Sequence, residues 1–211
     1  MTKVIIFDFD GTLADTLNAI VSITNRLAGE FGYKSATKDE LAKIRNLNSW
    51  EIIKNSGISI FKVPFLVRRV RKELRNEIQE VRLFPGIKEV LVELKNQGNQ
   101  LGIITSNSKE NVLALMERND LQEIFDFIYT GTTLFGKDKV INNWLKQAAV
   151  NHEKVVYVGD ETRDIEAAKK AKIKIIAVSW GFNVKAALAE HKPDFLIEHP
   201  HQLIEVIKNW Q

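Results

Sequence analysis

The stretch FDFDGT at residues 7–12 decides the fold, because it ends a short apolar run with two acids on alternate residues. The run VIIF at residues 4–7 has the character of a buried strand. Side chains at positions i and i+2 of an extended chain point the same way, so Asp8 and Asp10 are predicted to lie side by side. At about 4 Å and an effective dielectric constant near 20, two such charges repel by roughly 4 kcal/mol. A fold that places them together needs something to offset that repulsion.

Length and composition narrow the class of protein. The 211 residues suffice for one sizeable domain, or for a core domain with a small second module. With 45% hydrophobic and 27% charged residues, no membrane-spanning run and no signal-peptide pattern, we expect a cytoplasmic protein without membrane contact. The absence of cysteine excludes disulfides and cysteine-bound metals. A net charge of +3 is too small to indicate nucleic-acid binding, and none is expected.

From residue 84 onward, short apolar runs alternate with helical patterns. This alternation predicts βαβ units and a parallel sheet covered on both faces, and the N-terminal strand Lys3–Phe9 belongs to the same sheet. The sequence thus predicts an α/β fold. The later strands are predicted at LGII (101–104), FDFIY (125–129), VVYV (155–158), IKIIAV (173–178) and DFLI (194–197).

Residues 15 to about 80 contain no comparable strand run and are predicted to be helical. One helical face carries four cations. This face either forms a solvated outer surface or mildly attracts anionic substrates. The predicted division is a core of residues 1–14 and 82–211 with residues 15–81 as a helical cap. The helices are predicted at Asp15–Phe31, Lys38–Ile44, Ser49–Asn55 and Val63–Gln79, and the four cations are Arg68, Arg71, Lys72 and Arg75.

Polar residues collect where the predicted strands end. Ligands of an open parallel sheet bind beyond the carboxyl ends of its strands. Each residue alone has a simpler explanation as a turn, a helix cap or a surface lysine. Together, however, the acids would repel each other unless a divalent cation lay among them, and oxygen ligands suit Mg²⁺. The residues in question are Asp8, Asp10 and Gly11 after the first strand, Thr105 and Ser106 after the second, Lys137 beyond the third, and Asp160 with Asp164 after the fourth.

These motifs resemble those of the haloacid dehalogenase-like hydrolases. Residues 8–13, DFDGTL, are similar to the first motif of that family, and VGDETRD at 158–164 is similar to its fourth. Thr105 and Lys137 match the second and third motifs, and Phe84-Pro85-Gly86 resembles the segment that re-enters the core after a cap. The resemblance covers almost the whole chain, the helical insert excepted. It implies a Rossmann-like three-layer core with a parallel sheet and a small α-helical cap.

The resemblance also implies a role for each matched residue. Asp8 would be the nucleophile that forms an aspartyl-phosphate, and Asp10 the acid and then the base. Thr105 and Lys137 would bind the phosphoryl group, with help from Gly11 and Ser106. Mg²⁺ would be held by Asp8, the backbone carbonyl of Asp10 and Asp160, with Asp164 close by but not in direct contact. In the cap, Arg45 is the principal candidate for contacting the substrate, followed by Asn46 and Asn48.

Asp10 favours phosphoryl transfer, because the dehalogenating members of the family resemble this pattern but lack the second aspartate. The expected activity is Mg²⁺-dependent hydrolysis of a small phosphorylated metabolite: a phosphoglycolate-like ester, a sugar phosphate or a nucleotide. The members most similar in design are phosphoglycolate phosphatase-like and β-phosphoglucomutase-like, so a phosphosugar mutase is one alternative. A non-catalytic module that binds a partner through its cap is another. A monomer or a homodimer is expected.

Two further patterns compete with this interpretation. Residues 131–138, GTTLFGKD, nearly spell a P-loop, but Asp138 stands where a magnesium-binding hydroxyl is required. A nucleotide-binding P-loop also leaves FDFDGT unexplained. His199-Pro200-His201 could bind a metal, although a polar helix start explains these residues more simply.

Overall fold

A six-stranded parallel sheet forms the centre of the computed structural model, which describes residues 2–130 and 136–210. The strands follow the order β3-β2-β1-β4-β5-β6, and all neighbouring pairs are parallel. This is the doubly wound order in which ligands bind near the first strand, at the carboxyl edge of the sheet. The strands are β1 (Val4–Phe7), β2 (Gln100–Ile104), β3 (Phe127–Tyr129), β4 (Val155–Gly159), β5 (Lys174–Val178) and β6 (Phe195–Ile197).

Helices connect the strands and cover both faces of the sheet. Short 3₁₀ helices lie at Ile60–Lys62 and His152–Lys154. Within the described residues, none of the helices is both long enough and apolar enough to cross a bilayer. The α-helices are α1 (Leu17–Phe31), α2 (Lys38–Ile44), α3 (Ser49–Ser56), α4 (Val63–Glu77), α5 (Ile87–Asn96), α6 (Lys109–Arg118), α7 (Lys137–Ala148), α8 (Thr162–Ala171), α9 (Lys185–Glu190) and α10 (Gln202–Asn209).

Alternate residues of β1 belong to two separate hydrophobic cores. Ile5 and Phe7 pack with apolar residues of α5, α6 and α10. Val4 and Ile6 pack on the other face with residues of α7 and α8. Because successive strand side chains point to opposite faces, a strand that is apolar throughout is covered on both sides. The predicted three-layer α/β architecture is confirmed.

The observed elements differ from the prediction mainly at their ends. The first strand stops at Phe7 rather than Phe9, because the carbonyl of Phe9 already accepts the turn hydrogen bonds from Leu13 and Ala14. The third strand starts at Phe127, since the carboxylate of Asp126 caps the neighbouring strand by accepting from the Leu101 N–H at 2.8 Å. Helix α7 starts at Lys137 with a polar first turn. Helix α9 was not predicted.

The chain between Leu17 and Glu77 forms helices α1 to α4, as expected from the lack of strand runs. Helix α1 starts two residues later than predicted because the N–H of Asp15 donates to the Arg82 carbonyl at 2.9 Å. The Phe84 N–H likewise donates to the Leu13 carbonyl at 3.0 Å. The two connections between these helices and the sheet therefore run side by side. The division into a core of 1–14 and 82–211 and a cap of 15–81 stays a prediction.

Candidate active site

The loops that follow β1, β4 and β5 meet around the carboxylate of Asp160. Gly11 has φ +74°, and a Cβ on it would lie 2.1 Å from Asp160 Oδ2. A Cβ on Gly181 would lie 2.3 Å from the same oxygen, so both positions need glycine for the backbone to approach. Thr12 Oγ1 donates to Asp160 Oδ1 at 2.7 Å, and the Phe182 N–H donates to Oδ2 at 2.7 Å. This carboxylate is therefore buried and held from two loops.

Lys137 joins two buried carboxylates at the start of α7. Its Nζ donates to Asp8 Oδ2 at 2.7 Å and to Asp164 Oδ1 at 2.6 Å. Burial alone would lower the pKa of Lys137, but the Asp164 and Asp8 carboxylates outweigh burial and raise the pKa well above its usual value. The lysine thus stays charged, as electrostatic stabilisation of a phosphoryl group requires.

Asp164 is engaged through both of its oxygens. Oδ1 accepts from Lys137, and Oδ2 accepts from the N–H of Glu161, the residue before α8, at 3.1 Å. This arrangement gives Lys137 a second carboxylate partner beside Asp8. That Asp164 lies close to a bound Mg²⁺ without direct contact stays a prediction.

Asp10 follows Asp8 by two residues, and its carboxylate is held by Asn107. The Nδ2 of Asn107 donates to Asp10 Oδ1 at 2.9 Å and to Oδ2 at 3.1 Å. Burial and the nearby Asp8 carboxylate raise the pKa of Asp10 to about 7, against the hydrogen bonds from Asn107. A carboxyl group with this pKa is protonated in part at neutral pH, so it can give a proton and later take one back.

Thr105 and Ser106 follow β2 at the same edge. Thr105 is buried, and its Oγ1 accepts from the Asn107 N–H at 3.0 Å. Because the hydroxyl is the acceptor in that contact, its own hydrogen can still be donated to a ligand. Ser106 borders the same cavity as Asp10.

Arg45, the cap residue expected to contact the substrate, contacts the loop that follows β5. Its Nε donates to the Phe182 carbonyl at 2.8 Å, and its Nη2 to the Gly181 carbonyl at 2.9 Å. In return, Asn183 Nδ2 donates to the Arg45 carbonyl at 2.9 Å. Arg45 therefore fastens the helices at residues 17–77 to the loop that holds Asp160.

The acidic cluster suits a hard divalent cation. Among the described residues, one carboxylate oxygen each from Asp8, Asp160 and Asp164 lie within 4.8 Å of one another. Burial and the neighbouring carboxylates of Glu161, Asp164 and Asp8 raise the pKa of Asp160 well above its usual range. A cation would relieve this repulsion, and an all-oxygen donor set with backbone carbonyls nearby suits Mg²⁺.

Sequence reasoning missed several residues that complete the site. No role was predicted for Asn107, which follows β2, or for Arg163, which lies between Asp160 and Asp164. The loop at 179–183, which carries the Phe182 N–H and Asn183, was not considered. The strand-end rule, applied to β5 as it was to four other strands, identifies this loop.

The two competing patterns receive less support. Of the P-loop-like stretch, Gly131–Phe135 lie outside the described residues, and the Lys137 side chain is committed to Asp8 and Asp164. His199 and His201 are exposed, and their rings stack with centroids 5.7 Å apart. They immediately precede α10, as a polar helix start would.

A cavity of about 350 Å³ extends from the carboxyl edge of the sheet into the space among helices α1 to α4. Near the sheet it is bordered by polar groups, including Asp10, Ser106, Asn107 and Arg163. Among the helices it is bordered by apolar side chains: Ile20, Val21, Ile53, Leu66 and Val67.

This doubly wound sheet, with two acids after its first strand and a lysine and further acids after later strands, defines a class of hydrolase. A family model described as haloacid dehalogenase-like hydrolase matches residues 5–178. The chain therefore belongs to the haloacid dehalogenase-like hydrolases, and the resemblance in its motifs is confirmed.

Individual relatives match the chain over nearly its whole length. A phosphoglycolate phosphatase from Synechococcus elongatus is 36% identical over 205 residues, which cover 97% of each chain. A solved haloacid dehalogenase-like hydrolase from Streptococcus pneumoniae superposes with a TM-score of 0.78 at 24% identity, over 97% of each chain. A candidate β-phosphoglucomutase from Thermotoga maritima gives 0.69 at 26% identity over 100% of each. The protein is accordingly an enzyme, a hydrolase of the phosphatase type.

Proposed function

We propose that the protein is a Mg²⁺-dependent phosphatase that hydrolyses a small phosphomonoester through an aspartyl-phosphate on Asp8. The observation that carries the proposal is the contact of Lys137 Nζ with Asp8 Oδ2 at 2.7 Å, beside the partly neutral Asp10. An anchored carboxylate, a permanent positive charge and a group able to donate a proton are the requirements of such a reaction.

In the first step, a carboxylate oxygen of Asp8 attacks phosphorus, and the bond from phosphorus to the ester oxygen breaks. Asp10 gives its proton to that oxygen, so the leaving group departs as an alcohol. Lys137 and the Thr105 hydroxyl hold the oxygens of the transferring group. Asp8 and Asp10 both follow β1 at the carboxyl edge of the sheet, which supports their roles as nucleophile and acid at one site.

In the second step, a water molecule attacks the phosphorus of the aspartyl-phosphate. Asp10, now a carboxylate, takes the proton from that water, and the bond between phosphorus and the Asp8 oxygen breaks. Inorganic phosphate leaves and both aspartates return to their initial states. Asn107, which donates to both oxygens of Asp10, keeps that carboxyl group oriented through both steps.

Asp8, Asp160 and the backbone carbonyl of Asp10 are the groups that would hold Mg²⁺. When bound, the ion would neutralise negative charge on the phosphoryl oxygens, which otherwise repel a carboxylate nucleophile. Thr12 and the Phe182 N–H keep Asp160 in place for this purpose.

The substrate we propose is small and phosphorylated: a phosphoglycolate-like ester, a sugar phosphate or a nucleotide. The 36% identity to a phosphoglycolate phosphatase supports the first of these. We further propose that residues 15–81 act as a cap over the core of residues 1–14 and 82–211. The paired connections at Asp15–Arg82 and Leu13–Phe84 support this boundary.

The test is a screen of phosphorylated metabolites with and without Mg²⁺, followed by Asp8→Asn. We expect turnover of at least one phosphomonoester only with Mg²⁺, and a loss of about 10⁴-fold or more in Asp8→Asn. Asp120→Asn is the matched control, because Asp120 is largely exposed and asparagine tolerates its φ of 57°. Full activity of a folded Asp8→Asn enzyme contradicts the proposal, and recovery of an isomeric sugar phosphate instead of inorganic phosphate indicates a mutase.

The role of Asp10 has its own test. Asp10→Asn cannot protonate a leaving group, so an alkyl phosphate should suffer far more than p-nitrophenyl phosphate, whose leaving group departs without a proton. Equal losses for both esters would remove Asp10 from the acid role.

A further inference from the structure

The guanidinium of Arg163 has more hydrogen-bond donors than the protein uses. Arg163 is the second residue of α8, and its side chain is 14% exposed. Its Nη2 donates to Glu161 Oε1. Among the described residues, its Nε and Nη1 are buried and have no hydrogen-bond partner. Because a buried donor left unpaired costs about 1–3 kcal/mol, this arrangement calls for an external acceptor.

Arg71, which belongs to α4, borders the same cavity. Arg71, Arg163 and Asp10 all border this cavity. The backbone carbonyl of Arg71 accepts from Asn111 Nδ2 at 3.1 Å, which fixes this turn of α4 against the start of α6. Cations from two separate elements thus face one space.

The other charged groups around the cavity are otherwise engaged. Lys34 is exposed and pairs with Glu40 at 3.1 Å. Asp160 is held by Thr12 and the Phe182 N–H, and Glu161 pairs with Arg163 itself. Among the described residues that border the cavity, Arg163 is therefore the cation with donors left for an anionic ligand, and Arg71 adds a positive charge to the same cavity.

We propose that Arg163, with Arg71 in the same cavity, binds a second anionic group carried by the leaving group. This inference rests on the proposed phosphatase function, in which Asp8, Thr105 and Lys137 contact the transferring phosphoryl group. The preferred substrate is then the phosphate ester of a small hydroxy acid, or of another alcohol with a negative charge. Arginine suits this task because its planar donors match a carboxylate or phosphate.

The test compares phosphoglycolate with propyl phosphate, an ester of similar length without the carboxylate. Arg163→Met should lower kcat/KM for phosphoglycolate about 10–100-fold, the range expected for losing hydrogen bonds to a charged group. Propyl phosphate and p-nitrophenyl phosphate should change by less than about 3-fold, since their uncharged groups can occupy the apolar part of the cavity. Arg163→Lys keeps the charge and should fall between. Arg82→Met, an exposed arginine, is the matched control.

Binding provides a readout that does not need turnover. Calorimetric titrations compare the Asp8→Asn variant with the double variant Asp8→Asn, Arg163→Met. The ligands are phosphoglycolate and propyl phosphate, and only phosphoglycolate should bind more weakly to the double variant. If affinity or kcat/KM falls equally for all the esters, or if the preference for phosphoglycolate is unchanged, the proposal of an anion subsite at Arg163 is overturned. Absence of turnover in the wild-type enzyme together with a preference lost in Arg163→Met refutes the phosphatase function but keeps the anion subsite.

Discussion

Two regions of the molecule, the carboxyl edge of the sheet and the helices between Leu17 and Glu77, differ in how their side chains are held. At the edge, Asp8, Asp160 and Asp164 each accept hydrogen bonds through both oxygens, and all three are buried. Helices α2 and α3, which the structure describes in full, contain no fully buried residue, and an apolar cavity lies beside them. The carboxylates at the edge are therefore held in place, and we propose that the helices, which meet the leaving group in the proposed reaction, can adjust.

The largest effect should come from removing the charge at the centre of the rigid region. Lys137→Met leaves two buried carboxylates without their partner, so we expect the free energy of unfolding to fall by about 3–5 kcal/mol. We also expect kcat to fall about 10³-fold. Lys139→Met, an exposed lysine on the same helix, is the control. Denaturant unfolding and steady-state kinetics measure both quantities.

A double-variant cycle shows whether the loss belongs to the cluster. Because Asp8 and Lys137 are in direct contact, the combined Asp8→Asn and Lys137→Met variant should lose less stability than the sum of the single variants. Strict additivity would show that the two side chains are not coupled. The sheet edge would then not be the rigid region that the comparison with the helices assumes.

The next effect concerns the metal. Removing one of three neighbouring buried carboxylates relieves repulsion, so Asp160→Asn should be more stable than the wild-type enzyme without Mg²⁺. Wild-type protein should gain about 2.7 kcal/mol at Mg²⁺ concentrations near 100 Kd, whereas Asp160→Asn should gain little and lose about 10²-fold in activity. Thermal unfolding with Mg²⁺ or with a chelator measures the stability part. Equal stabilisation of both proteins by Mg²⁺ would place the ion elsewhere.

Much of the rigid region could be predicted from the sequence, since Asp8 and Asp160 follow directly after apolar runs and parallel strands end at one edge. Lys137 lies eight residues beyond the end of β3, and its match to the third family motif singled it out. The hydrogen bonds of Asn107 and Asn183 could not be predicted, because they join residues far apart in the chain through loops without a repeating pattern. For the helices, periodicity gave their positions but not which side chains face the cavity. Arg45 shows this limit, because its contact with the Gly181 carbonyl depends on how the helices dock.

A smaller effect tests whether Arg45 fastens the two regions or contacts the substrate. Arg45→Ala removes the hydrogen bonds to the Gly181 and Phe182 carbonyls, so we expect kcat/KM to fall about 10-fold because the helices are held less firmly against the loop that positions Asp160. If Arg45 acts only as this link, the factor should be the same for phosphoglycolate, propyl phosphate and p-nitrophenyl phosphate. Lys43→Ala, an exposed cation in the preceding turn, should have no effect. A loss confined to one ester would instead support the substrate contact expected from the sequence.

The smallest effect compares matching helix caps in the two regions. The Thr37 hydroxyl accepts from the Glu40 N–H at the start of α2, and the Ser108 hydroxyl accepts from the Asn111 N–H at the start of α6. Replacing either residue by alanine removes a cap that contributes about 1 kcal/mol. Because α6 contributes Val112, Leu115 and Met116 to the core, Ser108→Ala should lower the Tm of the whole protein by roughly 2–4 °C.

Helix α2 should respond differently to the same chemical change. Since none of its residues is fully buried, it can open without disturbing the core, so Thr37→Ala should speed hydrogen exchange of the amides at 38–44 and leave the Tm nearly unchanged. Hydrogen exchange with mass spectrometry resolves the two segments in one experiment. If Thr37→Ala lowered the Tm as much as Ser108→Ala, the helices near the cavity would unfold together with the sheet. Their adaptability would then have to come from rigid-body movement rather than from local opening.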